Sequence, residues 1–252
     1  YISLVSISVT FIGNIDNLLL GLMITDIGVI GLYKSAFVLI GSLISFLALS
    51  SNNVFLPIFV ELKKEELEKA FNRTLRYLMI FAVPAVFGLI ALGEYFIVLF
   101  YGYEYINAKL PLYFLSFLIV FSIYIELSLQ LFSARERPKD YLSLLFFVII
   151  INIILDYAFI RYLSSYPPIF AVAGVAFATS LSWFFYSIGL SIIIKKKLAI
   201  RTKFSVLIKP LISSLVMLGV LVFLKSWIGD LNLISGFIIL IFGILLYFVS
   251  ML

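Results

Sequence analysis

Apolar runs long enough to cross a bilayer follow one another along the whole sequence and leave room for little else. A spanning helix needs about 20 apolar residues, because in hydrocarbon every backbone amide must be satisfied within the segment. Eight such runs can be marked, at roughly 1–24, 33–60, 74–100, 110–132, 141–163, 168–194, 206–225 and 233–252. No interval between them could hold a soluble domain. Composition agrees: 64% of the 252 residues are hydrophobic and 12% charged, too apolar for a soluble core of this size. The pattern predicts an all-α, polytopic membrane protein with eight transmembrane helices.

Cysteine and histidine are both absent. That removes disulfides, Cys/His zinc sites, Ser-His-Asp triads and Cys-His dyads together. The formal charge of +5 would suggest a nucleic-acid partner only if the cations shared one surface, and they do not. Fourteen of the eighteen lysines and arginines fall in the loops after the second, fourth and sixth runs, among them Lys63, Lys64, Arg135, Arg137, Lys195 and Lys197. The positive-inside rule places those loops, and with them both chain ends, in the cytoplasm of a multi-pass cell-membrane protein. The sequon Asn72-Arg73-Thr74 then lies inside and should stay unglycosylated. The chain opens at Tyr1, already within an apolar run and without a basic flank or cleavage site. It reads as a piece of a longer protein, cut at or just before a membrane span.

Three loops carry finer signals. In "ELKKEELEKAFNRTLRY", Leu67, Phe71 and Leu75 form one stripe and Glu65 and Lys69 are spaced for an i,i+4 pair, so a helix along the inner membrane surface is expected. "LFYGYEYINAK" supplies Tyr101, Tyr103 and Tyr105 to an outer aromatic belt. "KKKLAIRTK" reads as a topology signal with affinity for anionic lipid. Gly31, Gly41, Pro57, Pro84, Gly88 and Gly174 read as bends or close helix contacts.

A few polar side chains sit where an ion is badly solvated. "FIGNIDNLLLGL" places Asp16 between Asn14 and Asn17 inside the first run. Asn152 and Asp156 lie within the fifth, and Thr179 within the sixth; Glu126 and Gln130 lie nearer the inner face. A charge at the bilayer centre costs roughly 2.5–3.5 kcal/mol on insertion scales, so it needs a partner. At a rise of about 1.5 Å per residue, Asp16, Asp156 and Thr179 all stand about 22–23 Å from the inner end of their helices. Asn152 and Asp156 share a helix face, as do Val175 and Thr179. Such oxygen donors suit an alkali or alkaline-earth cation. They would also suit one proton shared by two carboxyls, or neutral side chains bonding helix to helix.

With those residues in view, the sequence resembles the polysaccharide and lipid II flippases of the multidrug/oligosaccharidyl-lipid/polysaccharide exporter superfamily, in their C-terminal half. The stretches that carry the likeness are "NIDNLLLGLMITDIGVIGLYKSAFVL", "VLFYGYEYINAKLPL", "LFSARERPKDYLSL", "NIILDYAFI" and "VAGVAFATSLSW", in this order. The resemblance implies the last eight helices of a fourteen-helix fold: a six-helix transport lobe over 1–200 and a final helix pair over 201–252. It further implies alternating access, a polyprenyl-pyrophosphate-linked oligosaccharide as cargo and no catalytic residues or organic cofactor. The partners it implies are membrane lipids and an N-terminal lobe of the same protein, with no nucleic acid. In the lipid II flippase branch a sodium ion lies in this lobe, and the matching positions here are Asp16, Asn152, Asp156, Val175 through its carbonyl, and Thr179. Lys34, Glu126 and Arg161 are the candidate cargo-cavity residues, although Lys34, Arg161 and Lys109 also read as snorkelling interfacial cations. Two rivals are weighed beside this reading: a cation-coupled drug exporter of the same superfamily, and a membrane polymerase or glycosyltransferase. The final helix pair and "LFYGYEYINA" favour the flippase over the exporter, and outer loops of about ten residues leave an enzyme little room for its catalytic groups.

Overall fold

The computed structural model describes residues 15–229 and 233–251, the side chains of 48–54, 64 and 233 excepted. Every regular element among the described residues is helical. A helix at 15–23 (α1) leads through residues 24–26 into α2, Ile27–Glu61. Asp26 caps α2 by accepting a bond from the Gly28 amide at 2.9 Å. Next come α3 (Lys64–Tyr101), α4 (Lys109–Leu115), α5 (Leu118–Ala134) and α6 (Lys139–Tyr162). The chain ends with α7 (Pro168–Ile193), α8 (Ile208–Ile228) and α9 (Leu233–Met251). Pro168 opens α7, where its missing amide costs nothing. Gly102 ends α3 with φ at 89°, a conformation that strains any side chain.

Six of these helices are long and apolar enough to cross a membrane, and α4 with α5 makes a seventh span bent by 44°. The expected run at 110–132 is therefore two helices rather than one. Most of the expected first span, with Asn14, lies outside the described residues, so the structure accounts for up to seven of the eight predicted crossings.

The amphipathic stretch before the third span behaves differently from expectation. It continues without a break into α3. Its stripe of Leu67, Phe71 and Leu75 is buried within the protein. Phe71 packs between the rings of Phe59 and Tyr124, with centroids at 6.4 Å from each. The stripe found a protein partner, which outcompetes a lipid interface because the core also excludes water and ties α2 to α5. Glu65 and Lys69 form no ion pair.

Two apolar cores result. The larger joins α1 to α7. The smaller joins α8 and α9 to α3 through Leu92, Tyr95, Met217, Leu221, Ile239 and Tyr247. Tyr247 also donates to the Ile80 carbonyl at 2.7 Å, which satisfies a phenol inside an apolar contact. At the end opposite the basic loops, Glu94 of α3 accepts from Lys109 and Lys225, each at 2.5 Å, and so links α4 and α8. Helices α6 and α7 approach closely where Gly174 faces Phe159 and Leu163 and where Gly189 faces Leu144. A Cβ on Gly189 would stand 2.6 Å from Leu144 Cδ2. Gly31, Gly41 and Gly88, by contrast, have no neighbour within 4 Å of where a Cβ would lie.

The basic loops are bound to one another. Asn72 donates to the carbonyls of Glu68 and Arg201, both at 2.9 Å, and accepts from the Lys203 amide at 2.7 Å. Arg135 donates to the Leu62 carbonyl at 2.6 Å, and Arg137 to that of Lys197 at 3.2 Å. Asp140 lies 3.8 Å from both Arg137 and Lys197. The basic loops, read from the sequence as topology signals with affinity for anionic lipid, thus also hold one another together. With its amide committed to this clamp, Asn72 is buried, which disfavours glycosylation independently of orientation. Asn72→Ala should lower the unfolding free energy by about 1–3 kcal/mol, the cost of leaving buried partners unmet. Thermal unfolding in detergent, with Arg73→Ala as the exposed control, measures this.

Candidate cation site

Four helices converge on Asp16. The α1 side chain is 1% exposed and its Oδ2 accepts from Thr179 Oγ1 of α7 at 2.8 Å. Tyr33 of α2, wholly buried, donates its phenolic hydroxyl to the same oxygen. The Thr179 hydroxyl also lies 3.0 Å from the Val175 carbonyl one turn earlier. One hydroxyl proton cannot serve both acceptors, so one of them keeps an unused lone pair. Across the cluster, Asn152 Nδ2 of α6 lies 3.5 Å from Asp156 Oδ1. Asp156 lies close enough to Asp16 for the two carboxyls to interact. The five positions singled out in the sequence, Asp16, Asn152, Asp156, Val175 and Thr179, are brought together and all are buried.

The polar accounting of this cluster is incomplete. Asp16 Oδ1, Asn152 Oδ1 and Asp156 Oδ2 are buried and have no hydrogen-bond partner, and neither has the neighbouring Asn17 Oδ1. Leaving such an acceptor unmet costs about 1–3 kcal/mol, and more for a charged one. Acceptor-only oxygens facing one another need a proton or a cation between them. Among the described residues there is no group of three or more His, Cys, Asp or Glu. Two carboxyls with amide, carbonyl and hydroxyl oxygens match a monovalent hard cation better than a transition metal, which favours nitrogen and sulfur. The donor set therefore suits a hard alkali or alkaline-earth cation.

The candidate cargo residues differ in their surroundings. Lys34 and Arg161 are exposed, on α2 and near the end of α6. Glu126 instead lines a cavity of about 260 Å³ between α2, α5, α6 and α7, which Asn152 also borders. Lys109 is held by Glu94. Sequence reading missed Tyr33 and Glu94. Tyr33 lies in the quoted "GLYKSAF" stretch, but a tyrosine in an apolar helix gives no hint that its hydroxyl meets an aspartate from another helix. For Glu94 the available signal was a carboxylate near a helix end, with Lys109 and Lys225 near the same face.

Comparison with known proteins agrees with this architecture. A family profile described as "Polysaccharide biosynthesis protein" matches residues 1–110. The "Probable low-salt glycan biosynthesis flippase Agl15" of Haloferax volcanii is 26% identical over 186 residues, covering 73% of this chain and 38% of that protein. The solved structure titled "Lipid II flippase MurJ, inward closed conformation" superposes with a TM-score of 0.77 at 22% identity, over 95% of this chain and 50% of that one. The fold is thus like that of half of the solved lipid II flippase, and the chain is similar to polysaccharide-biosynthesis proteins and to a glycan flippase. The named relatives are transporters rather than enzymes. The chain spans half or less of the length of each.

If Tyr33 and Thr179 share one acceptor, their loss should not be additive. Tyr33→Phe and Thr179→Val are each expected to cost about 1–3 kcal/mol. The double variant should depart from the sum by about 0.5 kcal/mol or more. Additivity in thermal unfolding would show that the two hydroxyls do not serve the same carboxylate.

Proposed function

We propose that this chain is the ion-binding lobe and final helix pair of a sodium-coupled flippase. The full protein moves a polyprenyl-pyrophosphate-linked oligosaccharide across the cell membrane by alternating access. The observation that carries the reading is the buried oxygen cage of Asp16, Asn152, Asp156, the Val175 carbonyl and Thr179, with three of its acceptors unmet. The cage draws on α1, α6 and α7, with Tyr33 of α2 in support, so an ion that bridges it favours arrangements in which those helices are together. An ion can shift a conformational equilibrium only through such a difference in affinity. Sodium is preferred to a shared proton because the carbonyl and amide oxygens contribute to a metal ion and add nothing to a proton between two carboxyls.

The apolar groove between the lobe and the final pair supports a lipid cargo. It encloses about 590 Å³ and is lined by Phe81, Pro84, Gly88, Met217, Ile244 and Tyr247 among others. Such a wall suits a polyprenyl chain and offers nothing to a sugar or a pyrophosphate. Those headgroups fall to the central cavity, whose other wall is the N-terminal lobe. The two domains remain as read from the sequence, 1–200 and 201–252. The loops rich in lysine and arginine, and both ends of the chain, face the cytoplasm.

Sodium at a hundredfold its Kd should stabilise the full-length protein by about 2.7 kcal/mol. Asp16→Asn and Asp156→Asn should abolish that gain while leaving membrane insertion intact, and Thr179→Ala should weaken it less, having removed only a neutral ligand. Thermal-shift titration with sodium against potassium measures binding. Proteoliposomes with an imposed sodium gradient and a lipid-linked oligosaccharide measure transport. A response equal for both ions and unchanged in the variants refutes the sodium site. Movement of cationic dyes without lipid-linked sugar refutes the cargo.

A further inference from the structure

Three cations from two separate loops line one cavity at the basic end of the lobe. Arg135 and Arg137 lie between α5 and α6, and Lys197 lies in the π turn that follows α7, Ile194–Leu198. Together they border a space of about 360 Å³. Leu67, Leu198 and Ile200 supply its apolar part, and Leu67 and Ile200 are buried. Of the three consecutive lysines, Lys197 alone is on this wall. The cavity is remote from the cage at Asp16, since Lys197 is about 27 Å along the chain axis of α7 from Thr179.

The backbone is unusual on both sides of this space. Glu136, between the two arginines, holds φ at 53°, and it is exposed and absent from the wall. Ala199, which is on the wall, has the same φ. Among the described residues these are the two that adopt a positive φ without being glycine. Left-handed residues of that kind are uncommon and gather at functional sites.

Capping accounts for part of the arrangement, because unpaired carbonyls at helix ends draw cations. Arg135 donates to the Leu62 carbonyl at the end of α2, and Arg137 to the Lys197 carbonyl. Each guanidinium has five N–H donors, and one such bond uses one of them. Asp140 is the carboxylate paired with these cations among the described residues. It lies 3.8 Å from Arg137 and from Lys197, too far for a hydrogen bond to either. Glu68, beside Leu67 in sequence, accepts instead from the Arg201 amide at 3.0 Å. Three cations against one distant carboxylate leave an excess of two positive charges about the cavity. The backbone bonds hold the two guanidiniums there, while Arg137 and Lys197 stay half exposed and within reach of a ligand.

We propose that this cavity binds a doubly charged phosphate group, in solution or at the head of an anionic lipid. The planar guanidiniums of Arg135 and Arg137 match pairs of phosphate oxygens, and Lys197 adds a point charge. A dianion among them cancels the excess charge and relieves the repulsion of three cations held about one space. The site does not depend on which cargo or ion the rest of the lobe serves.

Equilibrium dialysis of the full-length protein in detergent tests it, with radiolabelled pyrophosphate in one arm and radiolabelled dihexanoylphosphatidate in the other. At least one probe is expected to bind. Lys197→Gln should weaken that binding by about tenfold or more, the loss of one charge-assisted bond. Lys196→Gln, in the same run but off the wall, should leave it unchanged. Asp140→Asn should tighten it, because it removes the carboxylate that competes for Arg137 and Lys197. Should Lys197→Gln fail to fold, Arg137→Gln is read in its place. Binding of pyrophosphate without the lipid supports the site with a soluble phosphate as its ligand, and the reverse supports it with a lipid headgroup. Binding of neither probe overturns the site. So does equal weakening by Lys196→Gln and Lys197→Gln, which would reduce it to diffuse attraction by a basic surface.

Discussion

A carboxylate in hydrocarbon must be surrounded by donors or neutralised, and Asp16 meets part of that demand, at one of its two oxygens, through two other helices. Thr179 is 163 residues from it and Tyr33 is 17 away, yet both reach the same oxygen. The bonds fix the rotation of α1, α2 and α7 about their axes, which apolar contacts alone leave loosely determined. With lipid as apolar as leucine, helix packing in a membrane draws its specificity from such polar points and from small residues that permit close approach. Here both devices occur in one lobe: the polar cage at Asp16 and the glycine contacts of α6 on α7.

The outer parts of the chain are attached by a different logic. Among the described residues, helices α8 and α9 contribute none of the side chains of the cage at Asp16. They lean on α3 through an apolar seam, closed at one end by the Glu94 ion pairs. Those pairs are about one-third exposed, so each contributes at most about 1 kcal/mol. At the basic end, Asn72, Arg135 and Asp140 bind loops from three different connections into one layer.

Much of this was legible in the sequence, because hydrophobic length has one meaning in a bilayer. The spans at 141–163, 168–194 and 233–252 lie within a few residues of α6, α7 and α9. The meeting of Asp16 with Asp156 and Thr179 followed from depth, since a rise of about 1.5 Å per residue turns position into height. Rotation about a helix axis does not follow from height, and the missed features are of that kind. Tyr33 could have faced lipid. The stripe of Leu67, Phe71 and Leu75 could have faced an interface, and only the position of Phe59 and Tyr124 shows otherwise. The break between α4 and α5 carries no glycine or internal proline to announce it.

The glycine contacts between α6 and α7 bear on how the cage can open. With Gly174 against Phe159 and Gly189 against Leu144, these helices interlock along most of their length, and sliding or tilting one without the other would drive side chains into backbone. Asn152, Asp156, Val175 and Thr179 therefore travel as one rigid jaw. Asp16 and Tyr33 stand opposite, joined to it by hydrogen bonds across the gap and by the shared apolar core. Whatever meets the unpaired acceptors on both sides of that gap therefore also sets the distance between α1 and the α6–α7 pair.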